Sequence, residues 1–155
     1  METQLLEIKT SLQINKPNHE VFEAIIDPEK MSNYFISKSS GRMETGKQLI
    51  WQFPEFESDF QIRVDKIEID KYISYYWEID NTELLVEIAL LSVDRNSTVV
   101  TVTEKGRKNN ESGINWLKGN TEGWANFLAC LKAYLEYGIN LRKGAFDFMK
   151  VKLNE

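Results

Sequence analysis

The order of its hydrophobic periods constrains this chain most: a long run of two-residue alternation, then a single segment of helical period. Leu6, Ile8, Thr10, Leu12 and Ile14 point one way, with Glu7, Lys9, Ser11 and Gln13 opposite. Further on, Leu49, Trp51 and Phe53 alternate with Ile50 and Gln52, and Phe60, Ile62 and Val64 share a face. Ile67 and Ile69 regain that face only if the register shifts near Lys66, which predicts a β-bulge and a bent sheet. Ile73, Tyr75, Trp77 and Ile79 form the next alternating set. Leu84, Val86, Ile88 and Leu90 follow the turn residues Asp80-Asn81, and Thr98, Val100 and Val102 follow Asp94-Arg95-Asn96. Alternating segments joined by short polar turns predict an antiparallel meander with one face buried.

Helical signals are few. Pro17 opens a stretch with Val21, Phe22, Ile25 and Ile26 at helical spacing, and Asp27-Pro28-Glu29 reads as N-cap, first-turn proline and dipole partner of a second short helix. Both end near Tyr34-Phe35. Residues 105–119 read as a polar loop with room for one helical turn around Ile114, Trp116 and Leu117. After Asn120, a candidate N-cap, Trp124, Phe127, Leu128, Leu131, Leu135 and Ile139 make one stripe, predicting a helix that runs to Leu141 or Arg142 before Gly144. The chain of 155 residues is therefore predicted to be one α+β domain. A curved antiparallel sheet of about six or seven strands is covered by one long C-terminal helix, with two short helices after the first strand. A bent sheet cannot collapse fully onto one helix, so the space between is filled by large side chains or by a cavity.

Composition excludes several classes of function. Lys+Arg number 19 and Asp+Glu 24, a net charge of −5, which does not suit a nucleic-acid binder. Cys130 is the only cysteine and His19 the only histidine, so intrachain disulfides and the usual zinc sites are not expected, nor is any cofactor. His19 reads as a surface residue and Cys130 as a packing thiol beside the helical stripe. Gly41-Arg-Met-Glu-Thr-Gly46-Lys47 spells the start of a phosphate loop. It lacks the following Ser/Thr, Gln48 standing there, and leads into a strand, so it reads as a strand connection. Glu55, Glu57 and Asp59 read as a solvated strand edge, and Lys105, Arg107 and Lys108 as a solvated loop. No apolar run approaches the ~20 residues of a membrane span. Glu2, Glu7 and Lys9 interrupt the N-terminal segment, so a cytoplasmic address is expected.

The sequence also resembles a known family. Pro17-x-x-x-Val21-Phe22-x-Ala24-Ile25, then Asp27-Pro28-Glu29-Lys30-Met31, then Tyr34-Phe35, resembles the N-terminal third of the SRPBCC or START-like superfamily. The nearest branch is named after the activator of the heat-shock-protein-90 ATPase. Gly46 before Trp51, Trp77 closing a strand, the strand Thr98 to Thr103, and Gly123-Trp124 with Leu128, Leu131, Tyr134 and Leu135 continue the likeness over residues 4–141. Tyr34 stands where the family often has Trp, and residues 144–155 extend past the usual end. The resemblance implies the helix-grip fold of birch-pollen-allergen-like proteins, with a cavity between sheet and C-terminal helix. Members bind lipids, hormones or polyketides, and some are cyclases.

The expected site follows from the inward aromatics. Trp51, Phe53, Phe60, Tyr75 and Trp77 on the sheet face Trp124, Phe127 and Leu131 on the helix, an apolar lining with scattered polar points suited to a lipid-like or aromatic ligand. Met31 and Met43 are expected near its mouth, and residues 105–119 as a mobile lip. Two other readings compete. One is a protein-interaction module, with Phe146, Phe148 and Met149 of the tail as a homodimer contact, and a chaperone partner by family analogy alone. The other is a cyclase-like enzyme, for which Tyr75 is the best acid.

Overall fold

The structure is a computed structural model and describes residues 4–149. The last part of the extension, residues 150–155, lies outside the described residues. Strand β1 (Leu5–Ile14) is followed by two short helices, α1 (Asn18–Ile26) and α2 (Pro28–Met31). The Asp27 carboxylate accepts from the Glu29 backbone N–H at 3.0 Å, the cap that its sequence predicts. Then come β2 (Lys38–Ser39), β3 (Gln48–Gln52), β4 (Phe60–Glu68), β5 (Tyr72–Ile79), β6 (Thr82–Asp94) and β7 (Ser97–Lys108). The long helix α3 (Glu111–Tyr137) and a 3-10 turn (Asp147–Met149) complete the described chain.

All seven strands form one antiparallel sheet in the order β1-β7-β6-β5-β4-β3-β2. The meander is therefore as predicted, with β1 closing against β7. Two-residue alternation sends Leu84, Val86, Ile88 and Leu90 inward, each buried, while Leu91 and Val93 remain on the outside. The bulge also falls where the hydrophobic register requires it: pairing shifts between Val64 and Lys66, and the Ser74 hydroxyl accepts from the Lys66 N–H at 3.2 Å. Beyond it Ile67 regains the core. Ile69, at the turn where Asp70 has a φ of 65°, lies exposed instead.

The expected loop at residues 105–119 is not a loop. Strand β7 runs on to Lys108, paired with Leu5, and α3 starts at Glu111 rather than after Asn120. The Asn110 side chain accepts from the Gly113 N–H at 2.8 Å and so caps the helix ten residues early. Helical turns with few apolar residues escape a periodicity test. Here they hold because Gly113 sits directly on the end of β7: an added Cβ would lie 1.9 Å from the Lys108 carbonyl oxygen. The mobile lip inferred for this segment is likewise replaced by paired strand and capped helix.

At its other end α3 stops at Tyr137, short of Leu141. Gly138 adopts φ 66° and its N–H bonds back to Ala133 and Tyr134, ending the helix in a left-handed cap. Ile139 thereby leaves the stripe and is exposed, while Trp124, Phe127, Leu128 and Leu131 are buried. The C-terminal half of α3 is tied to β1: Lys132 Nζ donates to the Gln13 carbonyl at 2.8 Å, and Glu136 accepts from the Asn15 N–H at 2.9 Å. Between helix and sheet lies a single core to which α1 and α2 contribute Val21, Phe22, Ile25 and Met31, and the turn after α2 contributes Tyr34.

Candidate functional site

The sheet face and α3 bring all the sequence-predicted lining residues together. Trp51, Phe53, Tyr75, Trp77, Trp124, Phe127 and Leu131 are buried, and Phe60 packs against them half-buried. Ring centroids lie 5.3 Å apart for Trp51–Tyr75, 5.5 Å for Tyr75–Trp77, 5.9 Å for Trp77–Trp124 and 5.3 Å for Trp124–Phe127, mostly edge to face. Phe35, placed by the turn after α2, was not among the candidates, yet it sits at the centre. Its ring is 4.7 Å from Phe127 and 5.1 Å from Phe53. Met31 and Met43 are buried in the core.

The most unusual group among these rings is a carboxylate. Glu104 on β7 is fully buried, 0% exposed. Its Oε2 accepts from Trp77 Nε1 at 2.7 Å, and its Oε1 accepts from Trp124 Nε1 at 2.9 Å and Asn120 Nδ2 at 3.1 Å. Two of the three indoles of the predicted lining are thus aimed at one acid. The Tyr75 hydroxyl, also buried, has no hydrogen-bond partner in the protein. Burial, and then the nearby Glu104 charge, push its pKa well above the ordinary phenol value. Tyr75 accordingly keeps its proton, and can donate or accept a hydrogen bond but not serve as a base. Glu104 was missed although a signal exists: Thr98, Val100 and Val102 set an inward register that 104 continues.

A cleft of about 700 Å³ opens beside this network, between the first turns of α3 and the β5–β6 turn. Asn115, Trp116, Asn120 and Arg107 line it, and Asn120 is also the residue that reaches Glu104. Arg107, expected in a solvated loop, instead lies on β7 with its side chain mostly covered. It donates to the Ile79 carbonyl at 3.0 Å and pairs with Asp80 at 3.4 Å. A second cleft of about 410 Å³ lies mainly over outward-facing residues of the sheet, including Arg63 and Tyr76.

The remaining candidates fall elsewhere. The Gly41–Lys47 stretch is a strand connection leading into β3, as read from the sequence. His19 is exposed and its Nδ1 lies 2.8 Å from Asp70. Cys130 is buried, which pushes its thiol pKa up, and among the described residues no cluster of metal-ligating side chains occurs. Glu55 corrects an expectation: it is not on a solvated strand edge but in the β3–β4 connection, its side chain 5% exposed and ion-paired with Arg142. The Arg142 guanidinium also lies over the Phe146 ring at 4.7 Å and the Phe35 ring at 5.6 Å. The segment after α3 is thereby strapped over the aromatic cluster.

A curved seven-stranded sheet closed over one long helix, with two short helices after β1, is a helix-grip α+β fold. A family model described as activator of Hsp90 ATPase homolog 1-like protein matches residues 15–136, and the chain belongs to this family. No curated protein sequence gives a significant match. Among solved structures, protein SSP2350 from Staphylococcus saprophyticus is 32% identical with a TM-score of 0.75, covering 88% of this chain and 96% of its own. DynU16, from the dynemicin biosynthetic locus, is 25% identical with a TM-score of 0.77, covering 86% of this chain but 48% of its own length. The Aha1 dimer from Colwellia psychrerythraea shares the fold at 18% identity, TM-score 0.71, over 86% of this chain and 98% of its own. No helix among the described residues is long and apolar enough to cross a membrane.

Proposed function

We propose that the domain binds an apolar or amphipathic small molecule, lipid-like or aromatic, between the concave sheet face and α3. Trp51, Phe53, Phe60, Tyr75, Trp77, Trp124, Phe127 and Leu131 form the lining. The observation that carries this reading is a cluster of aromatic rings holding a buried carboxylate and an unpartnered hydroxyl, which a dry structural core has no use for. The rings now touch one another, so a ligand enters by displacing part of the wall. The part suited to this is the stretch of α3 around Asn120 and Trp124, whose side-chain bonds to the sheet both end on Glu104, whereas Lys132 and Glu136 bond the C-terminal half to backbone at the end of β1. The cleft bordered by Asn120 lies beside that stretch. Binding draws on apolar desolvation at ~25 cal/mol per Å², with indole and phenol groups orienting the ligand.

Native mass spectrometry of freshly purified protein, followed by titration with naphthalene-based probes read by tryptophan fluorescence, tests this directly. A co-purifying small molecule or saturable quenching is expected. Protein that carries nothing and leaves its emission unchanged up to probe saturation would overturn the reading.

A second reading, self-association through the C-terminal segment, is favoured by the exposure of Tyr137, Ile139, Leu141, Phe148 and Met149 along one stretch of chain. Light scattering on the full chain and on a chain ending at Gly144 decides it: a dimer that becomes a monomer on deletion supports it, and an unchanged mass removes the tail from that role.

A further inference from the structure

We infer that the interior receives the protonated amine of an amphipathic ligand, with the Glu104 carboxylate as counter-charge and the surrounding rings as its cage. This rests on the ligand-binding reading above and adds the chemistry of the ligand's polar end.

Two observations carry it independently. First, Glu104 is an anion-forming group with no exposed surface, and no Lys, Arg or His among the described residues is ion-paired with it. Its three hydrogen-bond partners are neutral donors, two indoles and one amide. They hold the carboxylate in place without cancelling its charge, and an uncompensated buried charge is strongly unfavourable. A carboxylate offers about four lone-pair sites. Oε1 uses two of them, on Trp124 and Asn120, but Oε2 uses one, on Trp77, and keeps one acceptor position open.

Second, the Tyr75 hydroxyl is buried without a protein partner, while its ring packs edge-on to both Trp51 and Trp77. An ammonium group has three N–H donors. Oε2 can take one, and the Tyr75 oxygen is a second unpartnered acceptor in the same ring cluster, beside Trp77. An anionic head group would meet Glu104 as a like charge. A hydrocarbon would leave both polar atoms as they are. Of the ligand classes that fit an aromatic cage, the cationic amphiphile is the one that completes it.

Calorimetric titration of the full chain with 1-naphthylmethylamine and 1-naphthylmethanol tests the assignment, since the pair differs mainly in charge at neutral pH. The amine is expected to bind at least about tenfold more tightly, and to keep that preference at about 0.5 M salt, where a surface ion pair would be screened. In Glu104→Gln the preference should fall to within about threefold. That variant sets an amide N–H against an indole and can disturb the core, so Tyr75→Phe is the companion: it keeps the ring and should still weaken the preference. Equal affinity for both probes, a preference for the alcohol, or a preference abolished by salt would overturn the cation assignment while leaving a binding domain. Binding of neither probe would overturn both readings.

Discussion

His19 shows how far a local environment moves one residue without making it a site. The hydrogen bond to the Asp70 carboxylate, and then its charge, raise the imidazole pKa above the ordinary value although the ring stands in solvent. A raised folded pKa means the contribution to stability is fully present below the unfolded pKa and is lost as pH rises through the folded one. Proton NMR of this single histidine should therefore give a midpoint above that of a free imidazole, and Asp70→Asn should bring it back; a midpoint indifferent to the substitution would refute the pairing. Tyr34 makes the opposite case, a buried phenol that is structural. It donates to the Ala24 carbonyl at 2.6 Å and stacks on Tyr134, tying the turn after α2 to α1 and α3. Tyr34→Phe keeps the ring and should cost about 1–2 kcal/mol in denaturant unfolding with an unchanged slope.

Within α3 the glycines are not equivalent, and that separates what packing requires from what the helix merely tolerates. Gly113 abuts the Lys108 carbonyl, so Gly113→Ala should destabilise by about 3 kcal/mol or shift the helix start. Gly119 and Gly123 face open space, and alanine at either should stabilise by roughly 0.5–1 kcal/mol through helix propensity alone. Thermal melts of the three variants check both signs. If the N-terminal half of α3 opens to admit a ligand, the two stabilising alanines should also slow probe association measured by stopped flow. The same half shows why a helix can be hidden in a sequence. Its signals are an Asn cap and a glycine at a contact, and neither yields a period, whereas the stripe from Trp124 to Leu131 does.

Across the whole molecule, the extension after α3 is held at one charged point. Glu55 and Arg142, far apart in sequence, meet under little solvent and over the rings of Phe35 and Phe146. Glu55→Ala leaves that guanidinium without its acid and should cost about 2 kcal/mol, with faster proteolysis after Gly138 at unchanged far-UV circular dichroism. Proteolysis at the wild-type rate would show the strap held by other contacts. Alternation alone determined the meander, its inward aromatics and the bulge near Lys66, because a sheet with one wet face prints its geometry in every second residue. Proline and cap signals placed the short helices, and family resemblance supplied the grip. Local patterns could not reveal that Glu104 would be enclosed by Trp77, Trp124 and Asn120, that Phe35 would take the centre, or that Glu55 would be covered. Each depends on which distant segments meet once the sheet curves over α3, and a charge in the core is identified by its neighbours in space, which the chain order does not contain.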